Sequence, residues 1–546
     1  MAVGLPKDAF LIVTEIDGPT VLVDARATAV AGLLNDAGAS SVEYSDDETT
    51  RKGLWKARKV AGGLMGQISP DFLVQDAVIP KRALAELLQL VYDEADAAGL
   101  PAVNVFHAGD GNLHPNFLFD SRKPGEIEKV EAISKRLMQR VVDVGGTLSG
   151  EHGIGNDKTA YMSFIFDEHT LRLQLAVPHV FNPQHQLNPL KVFASRRFED
   201  LRNGTSSVAH DSPQKNRPDG PEVHPTNPTK PTTPRLFEPF FDPIDGVMCG
   251  PATMTAADLE PLVATHGFRF PLLLDQHLPL CEQVQASGFA SASSRFGPYC
   301  DNIMGMNWKL PSGRIVRIGE RVVKSTTGYD LLRFLLHSSG RFGEPVDFVL
   351  RLRPDCGTRG IFSLTGTDEA VSQAAAALLA TCWIHWFDAV DVLFESVSDS
   401  KTENCRLRIA LNCPAHEWPV YAEFLMSFAT THGLSLNSDS TASLRPDGCP
   451  DFALKTTPAR ALPLAREIVA GHAVTCVVLC YNGVVHGYLK QPATDVQSQI
   501  TNIIQRYSPA LHEVGGDWQS RHIPSQTPTG VEAEWLKQLG QEFASV

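Results

Sequence analysis

Two histidines, His107 and His114, flank an Asp110-Gly111 pair in the run Val-Phe-His-Ala-Gly-Asp-Gly-Asn-Leu-His-Pro of residues 105–115. An Asp-Gly pair between apolar runs is a hairpin signal, because both central positions of a type I′ turn need positive φ. A turn there sets Gly109 against Asn112, Ala108 against Leu113 and His107 against His114. Opposed side chains share a face of the ladder with Cβ atoms roughly 5 Å apart, and two imidazoles at that separation can hold one metal ion. A lone histidine of this kind is more often a plain surface residue, and a pair on a polar hairpin is evenly balanced between the two readings. The run Gly-Glu-His-Gly-Ile-Gly at residues 150–155 tips the balance. It adds a carboxylate, Glu151, and a third imidazole, His152, between glycines that allow close backbone approach. Two histidines and a carboxylate form a recurrent divalent-metal set that leaves positions open for substrate.

The elements around these residues read as an α+β protein. Residues 9–17 are expected to be a strand, ended by Gly18-Pro19, and residues 20–36 a helix. Residues 49–65 and 81–99 carry further helical patterns, the second stopped by Gly99-Leu100-Pro101. After the histidine hairpin, residues 125–144 form another helix that leads into Gly145-Gly146 and the Gly-Glu-His-Gly loop. Strands interleaved with helices suggest a sheet covered by helices on one side.

Residues 197–235 differ in kind. Seven prolines fall between Pro213 and Pro234 among Asn, Thr, Ser, Asp and Lys, a composition that buries little and reads as a linker between two globular halves. Beyond it, residues 252–266 form a helical pattern with Thr255 as its cap, and residues 285–294 are a run of small residues. That run packs closely against a ligand or another strand, and taken alone it reads as a tight loop. Residues 308–318 read as a hairpin with Pro311-Ser312-Gly313 as its turn, residues 348–352 as a strand, and residues 475–479 and 483–489 as another hairpin around Tyr481-Asn482.

Composition narrows the function classes. The chain has 546 residues, a formal net charge of −14 and a charged fraction of 20%. That charge disfavours bulk attraction to nucleic acid or anionic lipid. No apolar run reaches the roughly 18 residues that span a bilayer, and the first residues show no secretory pattern, so a cytoplasmic protein is expected. All ten cysteines lie from Cys249 to Cys480 with no Cys-x-x-Cys pair, which argues against an iron–sulfur cluster in this chain.

Residues 5–195 resemble the C-terminal, substrate-capping part of the FAD-linked 2-hydroxyacid dehydrogenases, which include the FAD subunit of glycolate oxidase. The matching motifs are Leu-Trp-Lys-Ala-Arg-Lys at 54–59, the histidine hairpin, residues 150–155, and Leu-Asn-Pro-Leu-Lys-Val-Phe at 187–193. Residues 245–490 are similar to the second FAD-binding subunit of glycolate oxidase, through Arg-Val-Val-Lys-Ser-Thr-Thr-Gly-Tyr-Asp-Leu at 321–331 and Ser-Ser-Gly-Arg-Phe-Gly at 338–343. The resemblance implies a ferredoxin-like cap domain over 1–196, the linker over 197–235, a partial PCMH-type FAD-binding domain over 236–354 and a second, degenerate cap over 355–546.

It also implies roles. His107, His114 and Glu151 would hold a divalent ion, zinc above all; His152 would be the catalytic base and Arg58 would bind the substrate carboxylate. Asn188, Lys191, Ser287, Gly288, Ser291, Lys324, Gly328 and Asp330 would contact FAD. The substrate would be a small 2-hydroxy acid. The family's Gly-rich pyrophosphate loop is not read in either half, so the FAD domain would come from a partner chain or from sequence upstream; an iron–sulfur subunit is the other expected partner, since no cluster ligands are read in this chain. The location would be the cytoplasm or the periphery of the inner membrane. A non-catalytic flavin-binding or assembly subunit of a glycolate oxidase complex is the alternative.

Overall fold

The computed structural model describes residues 10–184, 186–189, 191–193, 236–272, 275–338, 340–395, 404–439, 449–472, 474–489, 496–512, 517–520 and 530–546. The expected linker lies outside the described residues. The chain forms two compact units, one of residues 1–60, 253–302 and 352–526, the other of residues 61–252, 303–351 and 527–546. Neither unit is continuous, and each draws on sequence from both sides of the linker.

The histidine hairpin lies in the second unit. Strands Asp71–Val74, Pro115–Phe119 and Ala102–Asn104 form an antiparallel sheet with Pro115–Phe119 in the centre. A short ladder pairs Ala77–Val78 with Asn112–Leu113. Helix Leu84–Ala98 buries Leu87, Val91 and Ala95, one residue per turn on one stripe. It stops where Gly99 turns left-handed (φ 69°). Helix Glu126–Asp143 buries Val130, Ile133, Leu137, Met138 and Val141, and the two stripes close over Ala77, Ile79, Leu113 and Phe117. Each fully buried aliphatic side chain contributes about 1.5–3 kcal/mol. That core anchors the strands from which the site residues project. A five-stranded antiparallel sheet completes the unit in the order Ile315–Gly319, Ile303–Lys309, Glu344–Arg351, Val247–Pro251, Phe240–Asp242.

The other unit is built on an eight-stranded antiparallel sheet. Its strands alternate. Val390, Val392 and Phe394 of Ala389–Glu395, with Cys476 and Val478 of Val474–Leu479, face a core shared with helices Asp368–Leu379, Trp418–Thr431 and Pro458–Gly471. Leu393, Val477 and Leu479 face the opposite side with Val484 and Tyr488.

The helices expected over 20–36, 49–65, 81–99 and 125–144 are present as Thr20–Asp36, Glu48–Met65, Leu84–Ala98 (after a 3₁₀ turn Lys81–Ala83) and Glu126–Asp143. Thr255 caps Ala256–Ala264 through a capping box with Asp258. The strand expected over 9–17 is corrected: residues 10–17 enter no ladder, and Phe10 is 87% exposed. Their apolar run has the composition of a strand but finds no neighbour to pair with.

Candidate metal and active site

The hairpin carries its histidines in a register different from the expected one. His107 pairs with Asn112, not His114: His107 N–H donates to Asn112 O (2.9 Å) and Asn112 N–H to His107 O (3.2 Å). The two-residue turn gives way to a 3₁₀ turn, Ala108–Asp110, closed by Gly111 in the left-handed region (φ 69°). A Cβ on Gly111 would stand 2.1 Å from the Ile79 carbonyl oxygen, so this position needs glycine on two counts. His107 and His114 become diagonal neighbours on one face, with ring centroids 5.7 Å apart and edge-to-face.

Glu151 closes the set. Its Oε1 lies 3.7 Å from His107 Nε2 and its Oε2 3.7 Å from His114 Nε2. One ligand atom from each of the three residues lies within 4.8 Å of the other two. His152 stacks on His114, with centroids 5.2 Å apart. His114 is buried, whereas His107, Glu151 and His152 reach solvent. Burial pushes the His114 imidazole toward its neutral form, against the pull of Asp76 and Glu151. Glu151 is held below the usual carboxylate range, first by the hydrogen bond from Lys324.

The loop is shaped by Asp76, a residue that composition and spacing did not single out. Its side chain is fully buried. Oδ2 accepts from Ser149 Oγ (2.7 Å) and from the N–H groups of Gly150 (3.1 Å), Glu151 (2.9 Å) and His152 (2.8 Å). Oδ1 accepts from Asn112 Nδ2 (2.8 Å) and lies 3.9 Å from His114 Nδ1. Burial acts to raise the Asp76 pKa, but these donors outweigh it and hold the carboxyl far below the ordinary range. Gly150 must be glycine: a Cβ would lie 2.5 Å from Val78 Cγ2 and 2.8 Å from Asn112 Nδ2. Lys158 adds a second buried support, donating from Nζ to the carbonyls of Asp76 (2.6 Å) and Leu148 (2.8 Å). Burial lowers its pKa to about 8. An acid inside the apolar run 72–79 was the available signal for Asp76, since buried charge demands partners.

The segment 321–331 supplies the remaining wall. Thr147 Oγ1 bonds Ser325 Oγ (3.1 Å) and Thr327 Oγ1 (2.7 Å). Ser149 N–H donates to Thr327 Oγ1 (3.0 Å), and Thr326 N–H donates to Ser149 O (2.8 Å). Lys324 Nζ reaches Glu151 Oε1 (2.8 Å) and Asp110 Oδ2 (2.9 Å).

The other expected site residues have these positions. Gly328 (φ 82°) packs against Gln174, and Asp330 caps helix Leu331–Leu336. Asn188 is left-handed (φ 45°) and exposed, and Lys191 is exposed. The adjoining Val192 N–H donates to Gly155 O (2.9 Å), which ties this segment to the glycine loop. Ser287, Gly288 and Ser291 belong to the other unit; Ser287 Oγ bonds His486 Nε2 (2.8 Å) and Ser291 Oγ donates to Asp391. Arg58 lies in helix Glu48–Met65, and its side chain is outside the described residues.

Residues 2–192 match the family model "FAD linked oxidases, C-terminal domain". Among curated proteins, glycolate oxidase subunit GlcD of Escherichia coli is 39% identical over 189 residues, 34% of this chain and 38% of that protein. GlcD of Bacillus subtilis is 30% identical over 193 residues, 35% of this chain and 41% of that protein. The mitochondrial cytochrome-type D-lactate dehydrogenase of Kluyveromyces lactis is 30% identical over 157 residues, 28% of this chain and 27% of that protein. The chain thus spans well under half the length of these relatives. Among solved structures, an alkyldihydroxyacetonephosphate synthase matches with a TM-score of 0.36 and 10% identity, over 57% of this chain and 65% of that one.

Proposed function

We propose that the chain supplies the metal- and substrate-binding side of an FAD-dependent 2-hydroxyacid dehydrogenase of the glycolate or D-lactate type. The observation that carries this reading is the convergence of His107, His114 and Glu151, with ligand atoms within 4.8 Å of one another, beside His152. The donors fit a divalent ion such as zinc: two imidazoles, one of them kept neutral by burial, and a carboxylate kept ionised by its neighbours. An ion bound there supplies Lewis acidity that lowers the pKa of a substrate 2-hydroxyl. His152 takes the hydroxyl proton on its imidazole, while stacking on His114 and the Asp76 bond to its backbone fix its place. Arg58 holds the substrate carboxylate. FAD, when bound, supplies the hydride acceptor. Asn188, Lys191, Ser287, Gly288, Ser291, Lys324, Gly328 and Asp330 are its proposed contacts.

The same reading takes residues 1–196 as a ferredoxin-like cap, 236–354 as a partial PCMH-type FAD-binding domain and 355–546 as a degenerate second cap. In its support, His107, His114 and Glu151 form the one group of this kind among the described residues. The proposed partners are a chain with an FAD domain and an iron–sulfur subunit. The proposed place is the cytoplasm or the inner-membrane periphery; none of the described helices is long and apolar enough to cross a membrane. Metal analysis of the purified chain tests the reading. About one divalent ion per chain is expected, with His114→Ala abolishing it; unchanged content in that variant refutes the site.

A further inference from the structure

Lys324 stands 173 positions beyond Glu151 in sequence, yet its ammonium bonds the carboxylate of the candidate metal cluster. The oxygen it holds, Glu151 Oε1, is also the one that faces His107 Nε2 at 3.7 Å. A metal ion shared by His107 and Glu151 through these atoms needs that oxygen. We propose that Lys324 is the built-in counter-cation of the His107–His114–Glu151 site, and that a divalent ion must displace its ammonium from Glu151 in order to bind. The inference rests on the metal reading above and adds a competitor to it.

Three observations support the competition. First, Lys324 bridges two carboxylates, Glu151 and Asp110, at 2.8 and 2.9 Å. Two acids gathered there repel each other, and the ammonium neutralises them when no other cation is present. Second, the backbone next to Lys324 cannot drift away. Ser325, Thr326 and Thr327 are bonded to Thr147 and Ser149, on the loop that carries Glu151. Displacement is therefore a side-chain event, which the flexible four-carbon stem of lysine permits. Third, the Lys324 side chain is 33% exposed, so the freed ammonium has open solvent to move into while Asp110 remains a partner. An ammonium and a divalent ion on the same carboxylate oxygen repel, which makes the two occupants alternatives.

The test is a calorimetric titration of the full chain with zinc ion alone, at fixed pH and salt, for wild type, Lys324→Met and Lys324→Arg. Lys324→Met is expected to bind zinc about tenfold more tightly than wild type, about 1.4 kcal/mol. Lys324→Arg keeps the cation and is expected to stay near wild type. Thermal melts verify that the half-exposed substitutions leave the fold intact. Equal or weaker binding by Lys324→Met overturns the inference, because Lys324 would then orient Glu151 for the metal and not compete with it. If wild type binds zinc and Lys324→Met does not differ, only this inference falls. If neither protein binds zinc, the metal reading falls with it.

Discussion

Asp76→Asn is the substitution that most directly probes how the site is built. The change is isosteric and leaves one acceptor oxygen. Four donors converge on Oδ2, so the amide oxygen must take that position. The amide NH₂ then points at Asn112 Nδ2, a donor facing a donor at 2.8 Å. Asn112 can flip, but it then loses its bond to the Ala77 carbonyl (3.1 Å). Four charge-assisted bonds become neutral ones at about half the strength, roughly 1 kcal/mol each. The four together come to about 4 kcal/mol and the Asn112 conflict adds about 1 more, a large share of the roughly 5–15 kcal/mol that holds a domain together. The loop that bears Glu151 and His152 also loses its anchor, so zinc affinity should fall by about 10–100-fold. Denaturant unfolding and zinc calorimetry on the same preparation read both effects. Wild-type stability together with wild-type zinc affinity would refute the assignment of Asp76 as the organiser of the loop.

Two further outcomes follow from the same geometry. Gly150→Ala places a methyl 2.5 Å from Val78 Cγ2 and should cost about 1–3 kcal/mol, seen as a lower melting temperature and weaker zinc binding; an unchanged melting curve would mean the loop has room there. Lys158 loses its proton at about 8 in the folded chain, whereas the unfolded chain keeps it to about 10.5. Between those values the unfolded state binds more protons, so this residue makes stability rise with pH, by roughly 3 kcal/mol across the window. In metal-free buffer, the stability of wild type minus that of Lys158→Met should climb from pH 8 to 10; parallel curves would contradict the buried, proton-losing lysine.

Much of the site was legible because its residues are local and unusual. The Asp-Gly turn brought His107 and His114 onto one face, although the pairing was two residues off: the turn widened to four residues, and diagonal neighbours replaced opposed ones. The glycines around Glu151 and His152 marked close approach or unusual dihedrals: Gly150 shows the first, and Gly153 (φ 79°) and Gly155 (φ 55°) the second. Asp76 was not legible, because its partners are backbone N–H groups 74 to 76 positions away, and no spacing rule links an acid to them. The pairing of Lys324 with Glu151 and Asp110 was not legible either, because it is made by tertiary packing alone. Amphipathic helices such as Leu84–Ala98 were legible from their period, while residues 10–17 show the opposite case, strand-like composition with no partner strand. The assembly of each unit from separate stretches depends on long-range packing that local pattern does not encode.

The most direct measurement is anomalous diffraction at the zinc edge from crystals of the full chain grown with zinc. The account predicts one strong peak about 2.0–2.2 Å from a ring nitrogen of His107, one of His114 and a carboxylate oxygen of Glu151, with the Lys324 ammonium moved off Glu151. A peak elsewhere, or none at this cluster while Lys324 still bridges Glu151 and Asp110, would contradict it.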